Sequence, residues 1–205
     1  KFSHYSSKNG LPQNSVLAIL QDNTGFIWMG TDDGLARFDG YQFQVFRHQP
    51  GNTTTIHNNV IRAIIIDPLG HIWIGTEGGG ISIFDPKNES FYNLSTLSPL
   101  LTELSSAKVS SLLIDDQNRI WVGTNGNGLF KISLDFSNLS SIESYGNNLI
   151  VHNYGKSSSG LLDDKIWNVY QDKSDNLWVG TLEGGVYTLS LSQNEVKKQD
   201  LTKNG

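Results

Sequence analysis

The stretch Asp67-Pro-Leu-Gly-His-Ile-Trp-Ile-Gly-Thr-Glu-Gly-Gly-Gly-Ile-Ser-Ile-Phe-Asp85 has a skeleton that occurs three more times in the chain. Each copy places Asp six residues before Trp, and Gly-Thr two and three residues after that Trp. The other copies are Asp22-Asn-Thr-Gly-Phe-Ile-Trp-Met-Gly-Thr31, Asp115-Asp-Gln-Asn-Arg-Ile-Trp-Val-Gly-Thr124 and Asp172-Lys-Ser-Asp-Asn-Leu-Trp-Val-Gly-Thr181. A fixed spacing that occurs four times indicates one structural unit repeated along the chain.

The period of the repeat selects the architecture. The repeat tryptophans lie 45, 48 and 57 residues apart, at Trp28, Trp73, Trp121 and Trp178. This spacing is typical of propeller blades and too long for tetratricopeptide or ankyrin repeats. Each copy predicts a strand ending at Asp, a tight turn, the Ile-Trp-x-Gly-Thr strand, a Gly-rich turn and two further strands. The sequence therefore predicts an all-β propeller of four four-stranded blades, with almost no helix.

The predicted blades cover approximately residues 14–47, 59–94, 108–154 and 165–201. The third contains an additional strand expected around residues 149–154. Residues 1–5 match by position the outer strands of other repeats, so we expect them to form the outer strand of another blade. The Lys-Asn-Gly of residues 8–10 occurs again at residues 203–205. We therefore expect the chain to be a fragment of a larger ring, of about seven blades.

The first strands, aligned on their terminal Asp, contain columns of different character. Positions six, three and two before Asp are nearly always aliphatic, as a strand buried on both faces requires. The position five before Asp is occupied by Leu17, Arg62, Ser110 and Trp167, and the position four before it by Ala18, Ala63, Ser111 and Asn168. We expect these two variable columns to lie nearest the central channel.

Composition disfavours several classes of function. The net charge is −5, and the 15 Lys and Arg residues are scattered, so no basic surface for nucleic acid is expected. Cysteine is absent, which excludes disulfides and a Cys nucleophile. No apolar stretch approaches the roughly 20 residues that span a bilayer, so we expect no membrane contact within this segment. The five histidines have no clustered spacing, and we predict no metal site and no cofactor.

The tryptophans have two interpretations. Four aligned aromatic residues could stack on sugars, but one large aromatic at a fixed position of every repeat is more simply the packing between blades. We therefore assign Trp28, Trp73, Trp121 and Trp178 to the structural core. Trp167 differs because its column contains no other aromatic residue, and it is the candidate for a ligand-facing role.

Polar residues on the Gly-rich turns and in the variable columns are the candidate binding residues. We predict ligand contacts from Arg62, Trp167 and Asn168 near the channel and from Asp32, Asp33, Glu77, Asn125 and Glu183 on the rim. Alternatively, the four rim carboxylates could be paired as in a glycosidase, which needs two of them about 5 to 10 Å apart. Solvated acidic loops are the simpler interpretation. A protein-interaction scaffold is a third possibility, separable from a sensor by whether small molecules shift the melting temperature.

The pattern Gly10-Leu…Val16-x-x-Ile19-x-x-Asp22-x-x-Gly25-x-Ile27-Trp28-x-Gly30-Thr31-x-x-Gly34-Leu35-x-x-Phe38-Asp39-Gly40 resembles the two-component regulator propeller repeats. The resemblance extends over nearly all of the chain. It is looser in the last two repeats, where Asn118 and Asp175 replace the turn glycine. Sialidase Asp-boxes and quinone-dependent dehydrogenases have similar turns, but four dispersed arginines and the absence of vicinal cysteines give those families little support.

The resemblance to the regulator propellers implies a periplasmic location, in the extracytoplasmic part of a bacterial membrane receptor. In that family the output module is typically a histidine kinase or a diguanylate cyclase. The resemblance implies a non-catalytic sensor segment that binds a small solute, for example a carbohydrate, or a partner protein. Because open blade edges expose unpaired backbone groups, we also expect self-association through them.

Overall fold

The computed structural model describes residues 2–155, 159–191 and 195–198. These residues form four antiparallel sheets, in which each strand pairs with the next along the chain. The first sheet consists of β1 (Val16–Gln21), β2 (Ile27–Thr31), β3 (Gly34–Phe38) and β4 (Phe43–Phe46). The second consists of β5 (Ile61–Ile66), β6 (Ile72–Thr76), β7 (Ile81–Asp85) and β8 (Ser90–Asn93). The third consists of β9 (Val109–Ile114), β10 (Ile120–Thr124), β11 (Leu129–Leu134) and β12 (Leu149–Tyr154). The fourth consists of β13 (Ile166–Gln171), β14 (Asn176–Thr181), β15 (Val186–Ser190) and β16 (Glu195–Lys198).

The four sheets are the blades of a β-propeller, and we number them one to four in chain order. The first strands contact one another in the order β1, β5, β9 and β13. They therefore lie side by side around the axis, and the fourth strand of each blade lies outermost. The all-β propeller predicted from the repeat is confirmed.

Among the described residues, helical structure is confined to short connections. The two α-helices, α1 (Leu94–Leu97) and α2 (Tyr145–Asn148), have four residues each. Short 3-10 turns cover Ser7–Asn9, Pro99–Leu104, Phe136–Asn138 and Ile142–Ser144. The strand expected around residues 149–154 is β12, the outer strand of blade three. Within the described part of the chain, no helix has the length and apolar character needed to cross a membrane.

Residues 2–5 form no strand, contrary to the expectation from the sequence. A strand needs a neighbour to share its backbone hydrogen bonds, and this segment pairs with no strand among the described residues. Instead, the ring of Tyr5 packs 5.0 Å from the ring of Phe38 and 6.0 Å from that of Phe43. The second Lys-Asn-Gly, at residues 203–205, and the last predicted residues of blade four lie outside the described residues.

The six-residue spacing between Asp and Trp has a direct structural cause. Each repeat Asp follows the first strand and accepts a hydrogen bond from the indole Nε1–H of the Trp in the second strand, at 2.7–2.9 Å. Its other carboxylate oxygen accepts from the backbone N–H four residues further on, which closes the turn. A buried indole N–H without a partner would cost free energy. The pair therefore stabilises the turn and the core together.

The turns between the first and second strands need one residue with left-handed backbone geometry. Gly25 and Gly70 fill this position with φ of 96° and 87°, and Asn118 and Asp175 fill it with φ of 59° and 60°. Asn and Asp adopt this region more readily than other residues with a Cβ. The two departures from glycine in the looser repeats therefore preserve the turn.

Each blade packs against the next through the face that contains the repeat Trp. Trp28 is fully buried, and its ring lies 5.0 Å from that of Phe84 in blade two. Trp73 and Trp121 are also fully buried, in apolar clusters with residues of blades three and four. Trp178 is only partly buried, because no following blade lies against it among the described residues.

Candidate functional site

A β-bulge interrupts the first strand of every blade at the same position. In blade two, Ile61 pairs with Thr76 and Ala63 pairs with Gly75, which leaves Arg62 between them without a partner on β6. Bulges re-aim side chains and bend the strand locally. The bulge residues are Leu17, Arg62, Ser110 and Trp167, the column five residues before the repeat Asp.

The four bulge residues line one cavity of about 480 Å³, which we call the mouth pocket. Its other lining residues are Glu77, Lys108, Asn125 and Asn168. The volume lies in the range of small-molecule sites, roughly 300 to 1,000 Å³. The first strands and the Gly-rich turns after the second strands therefore build the pocket jointly.

Five of the eight predicted binding residues line the mouth pocket. They are Arg62, Glu77, Asn125, Trp167 and Asn168. A sixth, Asp32, lies beside it, since its Oδ1 is 3.9 Å from Nη1 of Arg62. These six residues come from all four blades, and only the ring arrangement brings them together.

The remaining two predicted residues do not line the mouth pocket. Asp33 pairs with Arg47, which follows the outer strand β4, at 3.1 Å. Glu183 pairs with Lys165 at 2.7 Å and lines a separate cavity next to Asp163. In both cases a basic residue outside the mouth pocket holds the carboxylate. In the described ranges, no group of three or more His, Asp or Glu side chains is arranged to hold a metal ion.

Ala18, Ala63, Ser111 and Asn168 form the column at the position four residues before the repeat Asp. Of these, Asn168 in blade four is the one that lies at the channel. Ala63 and Ser111 are 9% and 6% exposed, because they lie opposite Gly75 and Gly123 on the face that the next blade covers. Asn168 is exposed and lines the mouth pocket. The expectation that both variable columns lie at the channel was therefore wrong for this column, except at Asn168.

The charged groups of the mouth pocket form one connected set. Arg62 Nε is 2.9 Å from Glu77 Oε2, and Lys108 Nζ is 3.7 Å from Glu77 Oε1. The side chains of Arg62 and Glu77 are 37% and 33% exposed, so solvent screens the pair and its contribution to stability is small. The effect of these pairs is positional, because they hold donors and acceptors in place at the pocket wall.

Trp167 supplies an apolar surface within this polar setting. All five tryptophans lie within the described residues, and Trp167 is the exposed one, at 64%. Leu17, 39% exposed, adds a second apolar side chain. An exposed indole beside amide and guanidinium groups suits a ligand with an apolar face and polar edges.

Three lining residues, Leu17, Lys108 and Ser110, are not among the predicted ligand contacts. Leu17 and Ser110 belong to the column expected nearest the channel, so that column was the signal that could have added them to the predicted contacts. Ser110 Oγ donates to the carbonyl of Ile166 at 2.6 Å and so fastens blade four to blade three beside the pocket. Lys108 directly precedes β9, at a position where the four repeats share no residue type. It lines the pocket because it contacts Glu77 of blade two across the boundary between the blades.

A family model described as two component regulator propeller matches the chain four times, at residues 10–33, 55–78, 103–126 and 160–183. The chain is built from two-component regulator propeller repeats. Each match in this regulator propeller contains one bulge residue, one Asp–Trp pair and the start of one Gly-rich turn. All eight lining residues of the mouth pocket lie within the matched segments.

Among curated proteins, this regulator propeller is similar to "Histidine kinase P4" of Formosa agariphila. The two are 44% identical over 55 residues, which cover 27% of this chain and 4% of the kinase. The chain thus corresponds to a small part of that protein.

Solved structures share the fold over most of the chain. The extracellular domain assigned to a hybrid two-component system, BT3049 of B. thetaiotaomicron, is 26% identical with a TM-score of 0.78, covering 98% of this chain and 27% of that one. A second extracellular domain from B. thetaiotaomicron, BT4673, is 23% identical with a TM-score of 0.64, covering 89% and 22%. Virginiamycin B lyase from Staphylococcus aureus is 14% identical with a TM-score of 0.62, covering 95% and 58%, and this likeness concerns the fold alone.

Proposed function

We propose that this regulator propeller is the sensory segment of a bacterial membrane receptor and that it lies in the periplasm. The similarity to extracellular domains of two-component systems supports this role, as does the match to a histidine kinase. The same match favours a histidine kinase over a diguanylate cyclase as the output module of the whole protein.

We further propose that the mouth pocket binds a small polar solute. The observation that carries this proposal is the convergence of the bulge residues of all four blades on one cavity. The blade skeleton is fixed by the repeat, whereas the bulge column varies from Leu to Arg, Ser and Trp. A rigid scaffold with variable side chains at one place is the arrangement expected of a binding site.

The pocket chemistry favours a ligand that combines hydroxyl or carboxylate groups with one apolar face. Trp167 would stack on the apolar face, as aromatic side chains do on sugar rings. Arg62 and Lys108 would donate hydrogen bonds, and Asn125 and Asn168 can both donate and accept. A carbohydrate meets these requirements.

We propose that this segment catalyses no reaction. Every candidate carboxylate of the glycosidase alternative is in an ion pair, namely Asp32, Asp33, Glu77 and Glu183. A glycosidase needs two carboxyl groups that face one scissile bond, whereas Asp33 and Glu183 lie outside the mouth pocket and Asp32 and Glu77 share Arg62. The pairing therefore supports binding over hydrolysis.

Tryptophan fluorescence and thermal unfolding test the proposal. We expect one or more members of a panel of neutral and acidic mono- and disaccharides to change the emission of Trp167 and to raise the melting temperature. Ligand at a hundredfold excess over its Kd stabilises the folded state by about 2.7 kcal/mol. Trp167→Ala should weaken binding roughly tenfold or more, which is about 1.4 kcal/mol.

The matched control is Tyr41→Ala, which removes an aromatic side chain that is 95% exposed and lies outside the mouth pocket. It should leave the affinity unchanged. Binding that survives both Trp167→Ala and Arg62→Ala would show that the ligand binds outside the mouth pocket. If no panel member shifts the melting temperature and a partner protein binds instead, the small-solute proposal is wrong.

A further inference from the structure

The two cations that line the mouth pocket share one acidic partner. Arg62 Nε lies 2.9 Å from Oε2 of Glu77, and Lys108 Nζ lies 3.7 Å from Oε1 of the same carboxylate. A second carboxylate stands beside the pocket, since Oδ1 of Asp32 lies 3.9 Å from Nη1 of Arg62. Two positive and two negative charges therefore balance in this set.

Backbone contacts fix the place of the shared carboxylate. The N–H of Glu77 donates to the carbonyl of Val60 at 3.0 Å, and the carbonyl of Glu77 accepts from Nδ2 of Asn58 at 3.1 Å. Glu77 also pairs with Lys108 in a β-bridge that joins blade two to blade three. A ligand group that binds both Arg62 and Lys108 must therefore replace the Glu77 carboxylate or lie next to it.

This arrangement belongs to internal blade contacts. The strand β5 contacts β1 and β9, and β9 contacts β5 and β13. Blade two, which contains Arg62 and Glu77, and blade three, which Lys108 precedes, thus each have a described blade on both sides. Contacts between neighbouring blades set the positions of these three charges.

The balance of charge has opposite consequences for acidic and neutral ligands. A ligand carboxylate would add a third negative charge beside Glu77 and Asp32, and like charges brought together oppose binding. It would gain Arg62 and Lys108 only by taking them from Glu77. A neutral polyol has neither cost, because each hydroxyl can donate to a carboxylate oxygen and accept from a cationic N–H group. Hydrogen bonds to charged groups are also stronger than those between neutral groups.

We infer that the mouth pocket selects neutral over acidic saccharides and that Glu77 is the residue that sets this preference. The inference rests on the proposed function, because it names the class of solute that the same pocket binds. A repulsive group aimed at the wrong ligand is a common source of specificity. Trp167 stacks on the ring of either class, so Trp167→Ala should weaken both and leave their ratio unchanged.

Matched sugars test this inference by fluorescence titration at low salt. Each neutral member of the saccharide panel is paired with its uronide, for example methyl glucoside with methyl glucuronide, which carries a carboxylate in place of the CH₂OH group. The unaltered chain should bind the neutral member about tenfold or more tightly than its uronide. Glu77→Gln keeps the side-chain length and removes the charge. It should tighten uronide binding about tenfold and so narrow or reverse the preference.

Lys108→Gln is the reciprocal variant, and it should widen the preference because it removes a cation. Its side chain is 57% exposed, so the change leaves the packing intact. Glu89→Gln is the control, since Glu89 also pairs with an arginine, Arg37, at 2.7 Å, but lies outside the mouth pocket. It should leave both affinities unchanged. Thermal unfolding checks that each variant is folded.

The outcomes separate this inference from the proposed function. Uronides that bind the unaltered chain as tightly as their neutral partners overturn the inference and leave the small-solute proposal standing. A preference that neither Glu77→Gln nor Lys108→Gln alters also overturns it, because the charges of the pocket then do not set the selectivity. If neither class binds the unaltered chain or any variant, the inference and the small-solute proposal are both wrong.

Discussion

The repeat carboxylate in blade two does more than close a turn. Asp67 Oδ2 accepts hydrogen bonds from Trp73 Nε1 at 2.9 Å and from the Tyr145 hydroxyl at 2.6 Å. The hydroxyl lies 2.6 Å from Nδ1 of His71, and since its own proton goes to Asp67, it accepts from His71. Burial alone raises the pKa of Asp67, but the His71 imidazole, 3.4 Å away, and the hydrogen bonds from Tyr145 and Trp73 outweigh burial and lower it overall. One buried carboxylate therefore joins blade two to the connection before β12.

Asp67→Ala should cost roughly 3 to 5 kcal/mol in the free energy of unfolding, because it leaves the Trp73 and Tyr145 donors buried without partners. Asp172→Ala is the matched variant. It removes the same repeat carboxylate where Trp178 is partly exposed and water can replace the lost acceptor. Urea unfolding should therefore show a clearly smaller loss for Asp172→Ala. Equal losses would mean that the burial of the Asp–Trp pair does not set its contribution.

Between strands, the decisive feature is the contact of glycine with the next blade. The glycines in β6 and β14 occupy the same position of the repeat, but their surroundings differ. A Cβ on Gly75 would clash with Val109 at 2.5 Å, whereas a Cβ on Gly180 would meet only the carbonyl oxygen of Asn168, at 3.7 Å. The same glycine of the repeat therefore contributes differently to folding stability in different blades.

Gly75→Ala should destabilise the chain by about 1 to 3 kcal/mol, since the added methyl group overpacks the contact with Val109. Gly180→Ala should change stability by no more than about 0.5 kcal/mol, as surface substitutions usually do. Both glycines lack positive φ, so backbone strain does not confuse the comparison. Thermal unfolding of dilute samples measures both. A tolerated Gly75→Ala would show that blades two and three pack more loosely than the structure indicates.

For the whole molecule, the Asp residues of the turns link stability to pH. The hydrogen bond from Trp178 is the main cause that lowers the pKa of Asp172 from 3.8 to about 2. Burial raises the pKa of Asp22, but hydrogen bonds from Thr24, Trp28 and the backbone lower it overall. Asp67 is lowered in the same way. These shifts arise in separate blades, so their effects on the folded state accumulate.

A carboxyl group whose pKa is lower in the folded state stabilises that state above its unfolded pKa, near 4, and loses this effect as pH falls toward the folded value. We therefore expect the free energy of unfolding to fall steadily between about pH 4 and pH 2, measured by urea denaturation. Asp172→Asn should make this decline shallower. Because the shifts come from hydrogen bonds, about 1 M salt should leave most of the decline in place. Stability that is flat or rising over this interval would contradict the prediction.

The sequence alone determined the blade, because everything that defines it is local. The Asp–Trp spacing, the turn glycines and their Asn and Asp substitutes, and the aliphatic columns all act within about thirty residues, and they repeat four times. Local hydrogen bonds and strand periodicity therefore predicted the propeller, the strand at residues 149–154 and most of the mouth-pocket residues.

Only the tertiary structure decided which side chains meet. Asp33 and Glu183 lie two residues after the repeat Thr and Glu77 lies one residue after it, and basic residues outside the mouth pocket hold Asp33 and Glu183. Lys108 enters the pocket, and Tyr145 reaches Asp67 across 78 residues of sequence. Such contacts depend on how neighbouring blades are placed around the axis, which no local pattern encodes. For the same reason, the repeat specified Val16 and Trp178 as core positions, and how far each is exposed depends on whether one of the described blades lies against it.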